Sequence, residues 1–232
     1  MNRKRALVSD TFKVKKRQGD IKSTIMDLMT LFPRKLFNDA VPQIVLKHQL
    51  YSIHDKTMVD KEVNKLRESG SLLMFQLGFD AEAFGLVFAS DYKVKVLAGE
   101  EGKATRATVE KFLEKVVSKC TDLSFSKDKM LREFLFTDSE IQLVKSGVLT
   151  VRDAGSWWLS IPNTGKFVKY FIQRKAVLGM VKKSKYGEVL KDDLEQRRTT
   201  SHVKFHIKYH INDIVGAELV EVPTTSGTLL RY

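Results

Sequence analysis

Three helical stretches that each close near a glycine and run into a β-hairpin, at Gly70, Gly147 and Gly216, predict an α+β, mostly helical fold of three tandem winged-helix domains packed together. The first two endings are copies: the string Glu140 to Gly147 echoes Glu62 to Gly70 with one residue deleted, and the glycines recur at close to the size of one small domain. No Pro/Ser-rich linker separates the copies, so the domains are expected to rest against one another. The predicted boundaries are a disordered basic arm over residues 1–22 and winged helices over 23–98, 99–162 and 163–232.

In the first copy, Ile25, Leu28, Met29 and Phe32 recur at helical spacing until Pro33 stops them. A second helical stretch runs from Arg34 to about Gln49, interrupted by Pro42. A third starts at Thr57, which with Asp60 has capping-box spacing, and places Val59, Val63 and Leu66 on one face. Leu72 to Leu77 and Phe84 to Ala89 then read as a hairpin. In the second copy, Thr108 to Cys120 and Lys127 to Phe136 supply helices. The hairpin pairs Val148 to Arg152 with Trp157 to Ile161 across Asp153-Ala154-Gly155-Ser156.

The third copy is rougher. It begins with a helical stretch from Lys166 to Lys183, in which Arg174 falls inside the stripe of Phe167, Tyr170, Val177 and Val181, so this stretch is expected to bend or shift its buried face. A second helix runs from Tyr186 to Arg198. After Ile211 to Gly216, Glu218 to Val222 and Thr228 to Tyr232 flank Thr224 to Gly227 as a last hairpin.

Composition narrows the function. Of 232 residues, 43% are hydrophobic, and the longest apolar runs, such as Gly85 to Ala89, fall far short of the ~18 residues of a membrane span. The basic start Arg3-Lys4-Arg5 is followed by no apolar stretch of signal-peptide character, so the chain is expected inside the cell, with no membrane partner. The one cysteine, Cys120, excludes an intramolecular disulfide and reads as a buried small hydrophobe.

The formal net charge is +12, and its placement says more than its size. Met1 to Lys22 holds eight basic and two acidic residues, Lys166 to Arg198 holds ten and four, and the remainder balances. Two basic islands on a neutral chain are what a localised polyanion-binding face produces. In the arm, Arg3, Lys4 and Arg5 with Lys13, Lys15, Lys16 and Arg17 have the spacing of a bipartite nuclear import signal, although they could equally grip phosphates or form a solvated tail. In the second island, Lys182, Lys183 and Lys185 cluster between two predicted helices, Arg197 and Arg198 end the second, and Lys166, Lys169, Arg174 and Lys175 lie on the first. Such side chains neutralise phosphates with little sequence preference. Lys61 and Lys65 are weaker candidates, diluted by Glu62 and Glu68.

No enzyme chemistry emerges. Gly99 to Ala104 lacks the first glycine of a phosphate loop at Leu97 and the magnesium-binding hydroxyl at Ala104. A kinase's glycine-rich loop, catalytic-loop Asp with downstream Asn, and Asp-Phe-Gly are missing, and Arg152-Asp153 sits in a hairpin turn. His202, His206 and His210 alternate with Val203, Phe205, Ile207, Tyr209 and Ile211 as a strand would, which sets the histidines ~13 Å apart, too far to share a metal. A solvated or phosphate-facing row is expected instead, with no metal and no cofactor. Trp157 and Trp158, adjacent in a strand, point to opposite faces, one of them into the core.

The strings Leu149 to Trp158 and Thr224 to Arg231, with Leu31-Phe32-Pro33-Arg34 and Gln76-Leu77-Gly78-Phe79-Asp80, resemble the family called serine/threonine-protein kinase nineteen over about Ser23 to Arg231. The resemblance implies an inactive kinase of three winged helices that is nuclear, binds duplex DNA, and has Lys182, Lys183, Lys185, Arg197 and Arg198 among its DNA-facing residues. It further implies a part in transcription-coupled nucleotide excision repair, in the complex on stalled RNA polymerase II, where members help position the general transcription factor that opens DNA. The alternative is a winged-helix protein-interaction scaffold that touches no DNA. The groove entered, base preference, direct protein partners and dimerisation are left open by the sequence.

Overall fold

A computed structural model describes residues 19–78, 83–119, 121–141, 146–199, 201, 203–223 and 228–232. The import-signal residues of the arm, Cys120, His202 and the turn Thr224 to Gly227 lie outside the described residues, as do 142–145 in the repeat of the second copy.

The first unit opens with α1 (Ile21–Thr30), two residues earlier than the periodicity suggests, because the Asp20 carboxylate accepts from the Lys22 and Ser23 amides at 3.2 and 3.1 Å and fixes the helix start. Ile21, Ile25, Leu28 and Met29 form its buried face. The helix expected from Arg34 to Gln49 does not form as one piece. A 3-10 turn at Arg34–Phe37 is broken by Asn38 and Asp39, both left-handed at φ 51 and 59, and Pro42 offers no amide to continue it. The chain then forms a two-residue strand β1 (Val45–Leu46) and a short α2 (Lys47–Tyr51). In α3 (Lys56–Glu68) the cap is Asp55, which accepts from the Thr57 and Met58 amides, rather than Thr57. Gly70, at φ 69, turns the chain into the hairpin β2 (Leu72–Gln76) and β3 (Phe84–Phe88). β1 pairs the outer edge of β3, giving the order β1-β3-β2, all antiparallel.

Between the units runs α4 (Ala89–Gly99), a helix that the sequence pattern does not announce. The second unit has α5 (Arg106–Phe112), extended by a π-helical turn at Leu113–Val117, then β4 (Ser124–Ser126), α6 (Lys127–Arg132) and the hairpin β5 (Leu149–Asp153) with β6 (Ser156–Leu159). Its order, β4-β6-β5, repeats the first sheet.

In the third unit the long helical stretch is bent, one of the two outcomes that Arg174 suggests, into α7 (Gly165–Phe171) and α8 (Arg174–Lys182). β7 (Glu188–Leu190) forms where the sequence suggests helix, with α9 (Lys191–Gln196), α10 (Ile207–Gly216) and β8 (Leu229–Arg231) after it. β7 pairs β8 antiparallel, and the expected last hairpin is reduced to a single bridge, Glu221 to Arg231, on the other edge of β8. Helix, short strand and helix thus recur three times, and a paired hairpin follows in the first two units.

The histidine strand is a correction. Residues from Ile207 onward are helical, and His206 caps α10 by accepting at Nδ1 from the Lys208 amide at 3.2 Å. Burial alternates as expected from Val203 to Tyr209, yet His210 lies inside the core because the helix has by then turned it inward. Gly216 also has a different reason from the other two glycines. It is absent from the left-handed positions, which fall instead at Glu218, and a β-carbon at Gly216 would stand 1.7 Å from the His48 carbonyl oxygen. The residue permits α10 to press against α2.

One hydrophobic core crosses all three units. It joins Phe32 and Phe37 of the first to Phe112 and Phe125 of the second and Phe167, Phe171, Phe205 and Tyr209 of the third. Phe32 stacks on Phe167 at 6.1 Å and meets Phe205 edge-on at 6.0 Å. Two smaller cores lie under α1 and α3 and under α8, α9 and α10. Since each buried Phe contributes about 1.5–3 kcal/mol, the shared aromatic core binds the units together more strongly than chain connection would. Polar bonds fix the register: Tyr209 Oη donates to the Ile44 carbonyl and Gln49 Nε2 to the Tyr209 carbonyl, each at 2.8 Å.

Candidate nucleic-acid interface

α8 turns Val177 and Val181 inward, which leaves its opposite side to solvent. Lys175 and Lys182 are both exposed and seven residues apart, so they share a face about 10 Å long. Lys182 ends α8 and Lys183 comes next, where cations also suit the helix's partial negative end. Ser184 then leads into a 3-10 turn at Lys185–Gly187 that reverses the chain into β7. From the far side, α9 delivers Arg197 and Arg198 to the same turn. Arg197 donates to Ser184 Oγ at 2.9 Å and to the Met180 carbonyl at 3.3 Å, which ties the end of α9 to the end of α8. The Arg197 bonds thereby bring the end of α9 beside the end of α8 and the turn that carries the exposed Lys183 and Lys185, while Lys175 shares the Lys182 face of α8.

Some cations elsewhere are neutralised, while others, such as Lys22, Lys35, Arg106, Lys119 and Arg132, are exposed and unpaired among the described residues like these but scattered along the chain. Lys47, Lys95, Lys111 and Lys127 each meet a carboxylate, on Asp60, Asp39, Glu140 and Asp138. Among the described residues, Lys175, Lys182, Lys183, Lys185, Arg197 and Arg198 have no ion-pair partner, and all six are exposed. Their charge is thus available to solvent anions.

The other candidates are placed differently. Arg174 is turned inward: its guanidinium lies 3.3 Å from the wholly buried Asp213 and 5.4 Å from the Phe171 ring, with its side chain 18% exposed. Its charge is neutralised where the first and third units join, with His48 Nε2 at 2.6 Å from the same Asp213 oxygen. Lys61 and Lys65 are exposed on α3 in the first unit, Lys65 with Glu62 at 3.6 Å. Trp157 packs against the shared core, and Trp158, on the other face of β6, lies under the Arg152 guanidinium at 4.6 Å. Sequence reasoning passes over Tyr186 and Tyr232, which stand beside the basic turn. An aromatic just after the run Lys182-Lys183-Ser184-Lys185 is the available signal.

α10, the helix that precedes the last hairpin, presents no such surface. Ile207, Tyr209, His210, Ile211, Asn212, Asp213, Ile214 and Gly216 are all buried along it. The basic face of this unit is built from the end of α8, the turn and the end of α9.

Fold and face together define a mixed α/β protein of small antiparallel sheets and short helices, with a cationic surface and no kinase motif in its sequence. The model of the family described as inactive serine-threonine protein kinase 19 matches residues 26–232, and the chain belongs to that family. It is similar to "Winged helix repair factor 1" of Homo sapiens, 46% identical over 97% of this chain and 96% of the relative. The proteins of the same name from Mus musculus and Xenopus laevis are 46% and 42% identical, each over 100% of this chain and 98% of the relative. A family described as inactive, with relatives named as repair factors, makes the chain a non-enzyme. Among the described residues no helix is long and apolar enough to cross a membrane.

Proposed function

We propose that the chain is a non-enzymatic protein that binds duplex DNA through the α8–turn–α9 face, using Lys182, Lys183, Lys185, Arg197 and Arg198 with Lys175 at its flank. The observation that carries this reading is the concentration of six exposed cations, unpaired among the described residues, on α8, the turn after it and the end of α9, with Arg197 bonded to Ser184 and Met180 so that the two helix ends meet. Such a set neutralises phosphates and releases counterions, giving affinity with little base preference. The three units, over 23–98, 99–162 and 163–232, are winged helices. The recurring sheet order, with the strand after the first helix laid on the last strand of the hairpin, supports this. In a helix-turn-helix the last helix before the hairpin enters the major groove. In the third unit that helix is buried, so the unit grips backbone from another side. Lys61 and Lys65 on α3 would extend the contact in the first unit.

The relatives' name supports a place in repair, and the family resemblance implies that this is transcription-coupled nucleotide excision repair at stalled RNA polymerase II, in the nucleus. The basic arm supplies import. Fluorescence anisotropy of the full chain with a labelled short duplex at low salt tests the reading. Binding that weakens as salt rises supports it, whereas no binding even at low salt makes the chain a protein-interaction scaffold.

A further inference from the structure

The turn between α8 and β7 carries a tyrosine that the fold does not use. Tyr186 is 84% exposed and stands at φ 60, ψ 14, the left-handed region in which a β-carbon crowds the backbone. Gly187 is next at φ 69, and the conformation is held by the Gly187 amide donating to the Ser184 carbonyl at 2.9 Å. Glycine or asparagine at position 186 would adopt this shape with less strain and without an apolar ring in water. Backbone strain that burial does not offset concentrates where a protein grips a ligand.

A second exposed tyrosine is tied to the same turn. The Tyr232 amide donates to the Gly187 carbonyl at 3.0 Å, and its ring is 58% exposed. Each ring has a lysine ammonium near it, Lys185 at 5.2 Å from the Tyr186 centroid and Lys182 at 4.8 Å from that of Tyr232. Exposed aromatic faces interleaved with cations are the chemistry of single-strand recognition: rings stack on bases of any identity while cations follow the backbone. An intact duplex hides its base faces, so these rings find partners only where strands part.

Resting on the DNA-binding reading above, we infer that Tyr186, with Tyr232 tied to the same turn, stacks on an unpaired base and makes the third unit favour DNA where duplex meets single strand. The test compares the full chain with Tyr186→Gly, Tyr186→Ala and Tyr186→Phe on three labelled probes: a short duplex, the same duplex with an unpaired bubble, and a single strand. Loss of the ring should weaken bubble and single-strand binding by about tenfold and duplex binding by less than about twofold, with Tyr186→Phe close to the parent. Tyr186→Gly, which also relieves the backbone, should melt no lower than the parent. The inference is overturned if Tyr186→Gly binds the bubble as the parent does, as a ring docked on a protein partner would predict, or if all three probes weaken alike. Should the parent bind none of the probes, the DNA reading falls and takes this inference with it. Should salt-sensitive duplex binding persist while the ring variants change nothing, this inference alone falls.

Discussion

Arg197 donates to Ser184 Oγ at 2.9 Å, and this one bond joins the two basic clusters that are separate in sequence. The guanidinium is a brace as well as a charge, since the same Nη1 also donates to the Met180 carbonyl at the end of α8. Arg197→Ala should therefore lower duplex affinity several-fold while costing less than ~1 kcal/mol of stability, because the bonds are exposed. Arg197→Lys keeps the charge on a shorter reach without Nη1 and should fall between Arg197→Ala and the parent. Anisotropy and thermal melting on the same samples check this. Unchanged affinity in Arg197→Ala would remove the residue from the face.

Asp213 holds the first and third units together. It is wholly buried, with His48 Nε2 at 2.6 Å and Arg174 at 3.3 Å on the same oxygen. Removing the carboxylate strands the largely buried Arg174 charge, so Asp213→Ala should destabilise the chain by about 3 kcal/mol or more. Asp213→Asn, which keeps a hydrogen-bonding oxygen, should cost less. Urea unfolding measures both, and equal stability of Asp213→Ala and the parent would contradict this account of the joint.

His210 should make the fold acid-sensitive. Its ring lies between Phe171 and Phe205, with neither nitrogen hydrogen-bonded among the described residues. Burial holds its pKa down to about 4, against the pull of Asp213 and with a further push from Arg174. The unfolded chain takes up this proton near pH 6.5 and the native chain only near 4, so the stability it contributes is full above about pH 6.5 and declines as pH falls toward 4. The loss is on the order of 3 kcal/mol. His210→Leu should flatten this part of the pH profile, and an unchanged slope between pH 6.5 and 4 would contradict the assignment.

Gly216→Ala should be severe for a packing reason. The new β-carbon would fall 1.7 Å from the His48 carbonyl oxygen and 2.5 Å from its carbon, and backbone cannot step aside as a side chain can. Separation of α2 from α10 should cost about 3 kcal/mol or more, visible as a lower melting temperature. A variant as stable as the parent would mean that the two helices are not in this contact.

Legibility tracks the length of each pattern. Ile25, Leu28, Met29 and the Val59, Val63, Leu66 stripe announce α1 and α3 because a helix face repeats over several turns. β1, at two residues, and β4 and β7, at three, are too short for a period of two to appear, so the strands that complete each sheet escape a reading of the sequence. Val203 to Tyr209 reads wrongly as a strand because alternating burial that leads into a helix start has the same period. The basic clusters are readable as charge, but only packing distinguishes Arg174, neutralised by Asp213, from the exposed Lys182 and Lys183. The role of Gly216 depends on His48, far away in sequence, and no local pattern carries it.

The central claim is that Lys182 and Lys183 contact phosphates, and the salt dependence of duplex binding tests it most directly. At ~0.1 M salt each phosphate contact is worth up to about eightfold in affinity through counterion release, so Lys182→Glu with Lys183→Glu should weaken binding by at least about tenfold. The plot of log affinity against log salt should become shallower by about 1.8, and the fold should hold within ~1 kcal/mol because both side chains are exposed. If the double reversal leaves affinity and slope as they were while deletion of residues 1–18 abolishes binding, the DNA face is not the one assigned here.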